Sequence, residues 1–183
     1  GDVITADLLK FPVTQGSDEP YSLLRSGNNL YVAQSGLIGA NGPDASSSGR
    51  PVYRTDSNFY EMTGDTLEVP LVWKNDQGLT VTKTFIFKKD HYNVAVNYTV
   101  QNNSGAAANV QQYAQLKQVI DAEDDGNMFM PTYRGAAYST EEDRYQKYTF
   151  DDIADDKLRE TTKAGWAGML EHYFVSAWVP PQD

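Results

Sequence analysis

The chain has 183 residues, 40% hydrophobic and 22% charged, with 14 glycines, 8 prolines and a formal net charge of -10. That length suits one domain able to bury about 70% of its unfolded surface, and the composition is globular rather than disordered or fibrous. The acidity excludes nucleic acid as a partner, because phosphate backbones are bound by lysines and arginines that release counterions, and it disfavours docking on anionic lipid headgroups.

Cysteine is absent, which excludes disulfides, thiolate nucleophiles and cysteine-bound zinc but leaves the redox compartment open. No run of 18 or more apolar residues occurs, and Gly1-Asp2 does not open a basic, then apolar, signal sequence. That absence fits a cytosolic protein and a soluble piece cut from a membrane protein alike, so composition alone does not place the chain. If a membrane is nearby, something outside this sequence holds the domain there.

Along the chain, Leu8 to Phe11 and Leu30 to Ala33 are short apolar stretches, separated by a Gly-, Ser- and Pro-containing segment from Gln15 to Pro20. Gly36 to Arg50 is rich in Gly, Ser, Asn, Pro and Asp and is expected to be a long surface loop. From Thr66 to Trp73, the side chains of Leu67, Val69, Leu71 and Trp73 share one face with period 2, as a half-buried strand requires. Pro70 argues for an edge or a bulge there, since proline donates no ladder hydrogen bond. Asn75-Asp76-Gln77-Gly78 supplies turn chemistry and Leu79 to Phe87 alternates again, so a β-hairpin is predicted. His91 to Val100 then puts Tyr92, Val94, Val96, Tyr98 and Val100 on one side. Three meandering strands point to an antiparallel, all-β fold.

Asn102 to Gly105 breaks the pattern, and the Gln-rich segment Val110 to Ile120 is a weaker extended candidate. The last third supports two readings. Trp166, Met169, Leu170, Tyr173 and Phe174 fall on a helical stripe, while Tyr173 to Val179 also fits period 2. Gly165 and Gly168 would each cost a helix about 1 kcal/mol relative to Ala, which favours strand with a helical turn before it.

Groups for catalysis are few. The two histidines, His91 and His172, sit in no nucleophile-and-base pattern, and Glu171 beside His172 would point to the opposite face of a strand. The run Asp121, Glu123, Asp124, Asp125, Gly126, Asn127 resembles the start of a calcium loop, but the twelfth position is Thr132 rather than glutamate, so a solvated acidic loop is expected. Between Asp121 and Glu160 lie 12 acidic and 5 basic residues, a field that favours a basic protein surface. Tyr133, Tyr138, Tyr145, Tyr148 and Phe150 cluster with Arg134, Arg144 and Lys147. That composition suits a protein interface or sugar stacking, and equally the packed edge of a β-sandwich.

Arg134-Gly135-Ala136-Ala137-Tyr138-Ser139-Thr140, then Tyr145-Gln146-Lys147-Tyr148 and Asp152-Ile153-Ala154, resembles the large periplasmic domain of YidC-type membrane protein insertases. So do Gly165-Trp166, His172-Tyr173-Phe174 with Ala177-Trp178-Val179-Pro180, Ala33 to Leu37, Gly42-Pro43-Asp44, Lys83-Thr84-Phe85, Asn97-Tyr98 with Val100-Gln101-Asn102, and Gln115 to Gln118. These matches are collinear from about Gly1 to Pro180.

The resemblance implies a β-supersandwich similar to galactose mutarotases and carbohydrate-binding domains, formed by residues 1–183 as a single domain. Family domains are longer, so Asp183 is expected to be a truncation point. It also implies a periplasmic location on a Gram-negative inner-membrane protein. The expected role is non-catalytic assistance to membrane-protein insertion and folding, with the Sec translocon, SecD and SecF as partners and client membrane proteins as further ones. No catalytic residue, cofactor or metal site is expected. The candidate partner-binding residues are Arg134, Tyr138, Arg144, Tyr145, Lys147 and Tyr148. Two alternatives stay open: a carbohydrate- or peptide-binding domain, and a mutarotase-like sugar epimerase using a histidine acid and a glutamate base.

Overall fold

A computed structural model describes residues 1–45, 49–119, 133, 135–171 and 173–182. It is nearly all β and its paired strands are antiparallel, as the alternation predicts. The chain divides into two compact units, one of residue 1 with 35–113 and one of residues 2–34 with 114–183.

The first unit is built on β4 (Thr66–Lys74), β5 (Leu79–Lys88) and β6 (Val94–Asn102), in sheet order β4-β5-β6. The hairpin turns where Asn75 Oδ1 accepts from the backbone N–H groups of Gln77 and Leu79 at 3.1 and 2.9 Å. Pro70 lies on an outer strand of the three, opposite Thr84, where its missing N–H costs the ladder least. Leu79, Val81 and Phe85 are buried along one face of β5, each worth about 1.5–3 kcal/mol of apolar burial. Lys83 is buried on that same face. Its ammonium donates to the backbone carbonyls of Ser35, at 2.9 Å, and Gly1, and lies over the rings of Phe85 and Tyr98.

Gly36 to Arg50 differs from the expected surface loop. Its first three residues complete β3 (Tyr31–Ile38), with Gly36 and Leu37 buried, and Pro43 is buried at the start of a 3-10 turn over Pro43–Ala45. The cause is Asp44, whose carboxylate accepts from Leu37 N–H at 2.9 Å and pairs with Arg50 at 2.5 Å. Tyr113 also reaches this site, bonded to Asp44 and Arg50. Turn-rich composition hides a tertiary anchor here.

β7 (Gln111–Gln118) pairs with β3. Val119 N–H donates to Leu30 C=O at one end and Asn41 N–H to Asn109 C=O at the other, so the pair is antiparallel.

In the second unit β1 (Ala6–Pro12) pairs with β2 (Pro20–Leu24). A four-stranded sheet runs in the order β11-β10-β8-β9, from β8 (Gly135–Ser139), β9 (Gln146–Tyr148), β10 (Trp166–Leu170) and β11 (Val175–Trp178). The period-2 reading of the last third therefore holds and the helical stripe does not form. Gly168 lies opposite both Ala137 and Ala177, and a β-carbon on it would come within 2.7 Å of Ser176 C=O, so close strand approach needs that glycine. The one α-helix among the described residues, α1 (Phe150–Asp155), follows a capping box in which Thr149 and Asp152 bond reciprocally.

Candidate docking surface

The residues singled out for partner binding fall on different sides of the four-stranded sheet. Tyr138 pairs with Gln146 and Ala136 with Tyr148, which places Tyr138 and Tyr148 on one face. Ser176 and Trp178 share that face through β10. Lys147 pairs with Ala137 on the other face, in line with Ser139 and Trp166. Arg134 and His172 lie outside the described residues, as does the acidic run Asp121 to Asn127.

Tyr148 is tied into the structure. Its hydroxyl donates to Asp152 C=O at 3.1 Å and Asp156 C=O at 2.5 Å, holding α1 against the end of β9. Its backbone N–H donates to Tyr133 Oη at 3.1 Å, and the Tyr133 hydroxyl donates in turn to Ala136 C=O. The Lys147 ammonium sits 4.6 Å from the centre of the Tyr133 ring, a cation–π pair.

Arg144 and Tyr145 form the open part of the cluster. Tyr145 is 51% exposed and has φ of 59°, a left-handed backbone that costs a bulky L-residue about 1–2 kcal/mol. The strained turn sets its ring 6.2 Å from that of Trp166, tilted by 42°. Beside this pair lies a pocket of about 510 Å³, whose lining includes Ser139, Glu141, Arg144, Gly165 and Gln182. Among the described residues, neither the Arg144 guanidinium nor the Glu141 carboxylate has an ionic partner. Trp166 was missing from the sequence-level cluster because 21 positions separate it from Tyr145. The register Trp166 to Ser139 brings it there.

A second polar centre also escaped sequence reasoning. Glu171 is buried, and its carboxylate accepts from Tyr21 Oη at 2.6 Å, Arg25 Nη2 at 2.8 Å and Gln118 Nε2 at 3.2 Å. Burial first, then the bond to Glu171, pushes the Tyr21 hydroxyl up to about 12. Tyr31, wholly buried, is pushed to about 12 by burial above all. His91 is exposed, just before β6. No group of three metal-ligating side chains occurs among the described residues.

The family model for the YidC periplasmic domain matches residues 1–183. The chain belongs to the YidC periplasmic domain family. It is 56% identical over 184 residues to the membrane protein insertase YidC of Pseudoalteromonas atlantica, covering 100% of this chain and 33% of that protein. The YidC insertases of Shewanella amazonensis (49% identity, 98% of this chain, 34% of that protein) and Aeromonas hydrophila (45%, 100% and 34%) are similar in the same way. The chain thus spans about a third of the length of these relatives. As a YidC periplasmic domain it resides in the periplasm, and no described helix is long and apolar enough to cross a membrane. The relatives are named for insertion rather than for an enzymatic reaction.

Proposed function

We propose that this YidC periplasmic domain is a non-catalytic docking module, through which its parent protein assists insertion and folding of inner-membrane proteins together with the Sec translocon, SecD and SecF. The observation that carries the reading is the exposed Tyr145 ring held beside Trp166 by a strained backbone, with the exposed Arg144 next to it, which has no ionic partner among the described residues. Aromatic and arginine side chains contribute most to protein interfaces, and backbone strain concentrates at functional positions. The acidic helix α1 and its flank, with Asp151, Asp152, Asp155 and Asp156, lie at the Tyr148 end of β9 and add a field that attracts basic surfaces to the domain. The family match runs unbroken through both units, which supports treating residues 1–183 as one domain.

A photocrosslinking residue at position 145 of the full-length insertase tests this in membranes. Adducts with SecD or SecF, lost on Arg144→Glu, are the expected result. A clean absence of adducts from a correctly folded, membrane-integrated protein would sink the assignment.

The absence of catalysis is supported by Glu171, whose carboxylate is held by Arg25, Tyr21 and Gln118 and so is poorly placed to act as a free base. Polarimetry on fresh α-glucose and α-galactose should show no acceleration by the domain. An acceleration removed by Glu171→Gln or His91→Ala would establish the mutarotase-like alternative instead.

A further inference from the structure

The two outer edges of the β4-β5-β6 sheet differ. Asn103 N–H donates to Gly78 C=O at 2.9 Å, and Lys89 N–H donates to Asp65 C=O at 2.9 Å. Each bond marks a hydrogen-bonded pair at the end of its ladder, and such pairs alternate along an antiparallel strand. Counted through the register, the even-numbered residues of both β4 and β6 therefore turn their backbone groups away from β5.

On β4 this outward row is guarded. Pro70 has no N–H to offer, and Val72 exchanges both of its backbone bonds with Arg54 at 2.8 Å. On β6 the row includes Val94, Val96, Val100 and Asn102, and among the described residues no strand pairs with that edge. β6 runs for nine residues in unbroken register. It contains neither proline nor any charged side chain, the features that usually protect an exposed edge. Side-chain cover stops at the same place. Val81 is wholly buried, yet Val100 opposite it is 37% exposed, and Val94 at the other end of β6 is 40% exposed. What covers β5 leaves the same face of β6 half open.

We infer that the β6 edge pairs with β6 of a second copy of this chain, antiparallel about a two-fold axis at Asn97. The strand is self-complementary in that register, as a two-fold interface requires. Val94 meets Val100 of the copy and Val96 lies beside Tyr98, which brings apolar side chains together on the half-open face. On the other face Ala95 meets Thr99 and Asn97 meets itself. Moving the axis to residue 98 sets Val94 against Asn102, and moving it to residue 96 shortens the overlap within β6 to residues 94–98. The strand belongs to a different unit from Tyr145 and Trp166, and the inference is independent of the docking role proposed for them.

The chain has no cysteine, so single cysteines report the register. Asn97 facing itself is a non-hydrogen-bonded pair with Cα atoms about 4.5 Å apart, inside the disulfide range of about 4.4–6.8 Å. The test uses the full-length insertase in membranes, with any cysteine outside this domain replaced by serine. Asn97→Cys is expected to give disulfide-linked dimers on mild oxidation. Thr99→Cys, which faces Ala95 of the copy, and Glu68→Cys, on the guarded β4 edge, should give about tenfold less, because cysteines with Cα atoms more than about 7 Å apart do not bridge. Val100→Lys puts a charge at an exposed position without touching the core, and Val96→Pro removes an outward N–H as Pro70 does on β4. Each should cut the Asn97→Cys dimer about tenfold. Absence of the dimer at position 97, the result if a segment of the parent's own chain holds the edge, overturns the inference. Equal yields at positions 97, 99 and 68, or a yield that Val100→Lys leaves unchanged, overturn it as well.

Discussion

Arg25 Nη2 and Glu171 Oε1 meet at 2.8 Å although 146 residues separate them, and the Glu171 side chain is only 5% exposed at that meeting. Arg25 follows β2, and Glu171 lies at the turn after β10, where Glu171 and Phe174 exchange backbone bonds. Tyr21 adds a third member, and its ring stacks on Phe174 with centroids 4.6 Å apart. A buried carboxylate is tolerated only when its lone pairs are filled, and removing charge from one side leaves the other unpaired. Glu171→Gln should lower stability by about 1–3 kcal/mol, with Arg25 partly solvated and able to recover some hydration. Glu171→Ala should cost more. Urea denaturation of the three proteins checks the order.

Tyr21 and Tyr31 are both raised from 10 to about 12, mainly by burial. A group whose folded value exceeds its unfolded one contributes stability that is fully present below the unfolded value and is lost as pH rises through the folded one. The window here is pH 10 to 12. In an ultraviolet titration these two tyrosines should ionise together with loss of the fold rather than before it. Stability measured at pH 9 and 11 should fall less in Tyr21→Phe than in wild type.

Gly36 is required by Asp44 rather than by its own backbone angles. A β-carbon at position 36 would overlap the Asp44 carboxylate, which Leu37 N–H and Arg50 hold in place. Gly36→Ala should therefore destabilise by about 2 kcal/mol or more. In an Asp44→Ala background the same change should be much milder, since neighbouring sites couple. Thermal melts of the double-mutant cycle read the difference, and strict additivity would show that Asp44 is not the obstacle.

Thr149 caps α1 and Tyr148 ties its far end through Asp152 and Asp156. Thr149→Ala should weaken the helix by about 1 kcal/mol. Tyr148→Phe should leave the global melting temperature nearly unchanged yet speed amide exchange across Phe150–Asp155, because α1 has no buried residues. Exchange measured by NMR distinguishes this local role from a partner-facing one, in which exchange rates would stay at wild-type values while crosslinking fell.

Local alternation was enough to mark β4, β5 and β6 as strands, and in β5 Leu79, Val81, Lys83 and Phe85 against Thr80, Thr82, Thr84 and Ile86 specify the buried face as well. On the face expected of β6, by contrast, Val94 and Val100 are exposed, and the strand starts at Val94 rather than at His91. It also showed that Asn75 to Gly78 turns, because Asn75 bonds its own backbone neighbours. The collinear short matches were legible as a family resemblance without any structure.

Other features depended on long-range pairing. Trp166 to Trp178 carried helical and extended periods together, and only the pairing of β10 with both β8 and β11 made it strand. The aromatic cluster from Tyr133 to Phe150 had no faces until the register separated Tyr138 and Tyr148 from Lys147 and joined Tyr145 to Trp166. The Glu171 centre was invisible because hydrogen-bond partners 53, 146 and 150 residues away leave no local pattern. Alternation records which residues share a side of one strand; which strands become neighbours is decided by the burial and backbone pairing of the whole chain, and that neighbourhood is what creates a pocket or an ion pair.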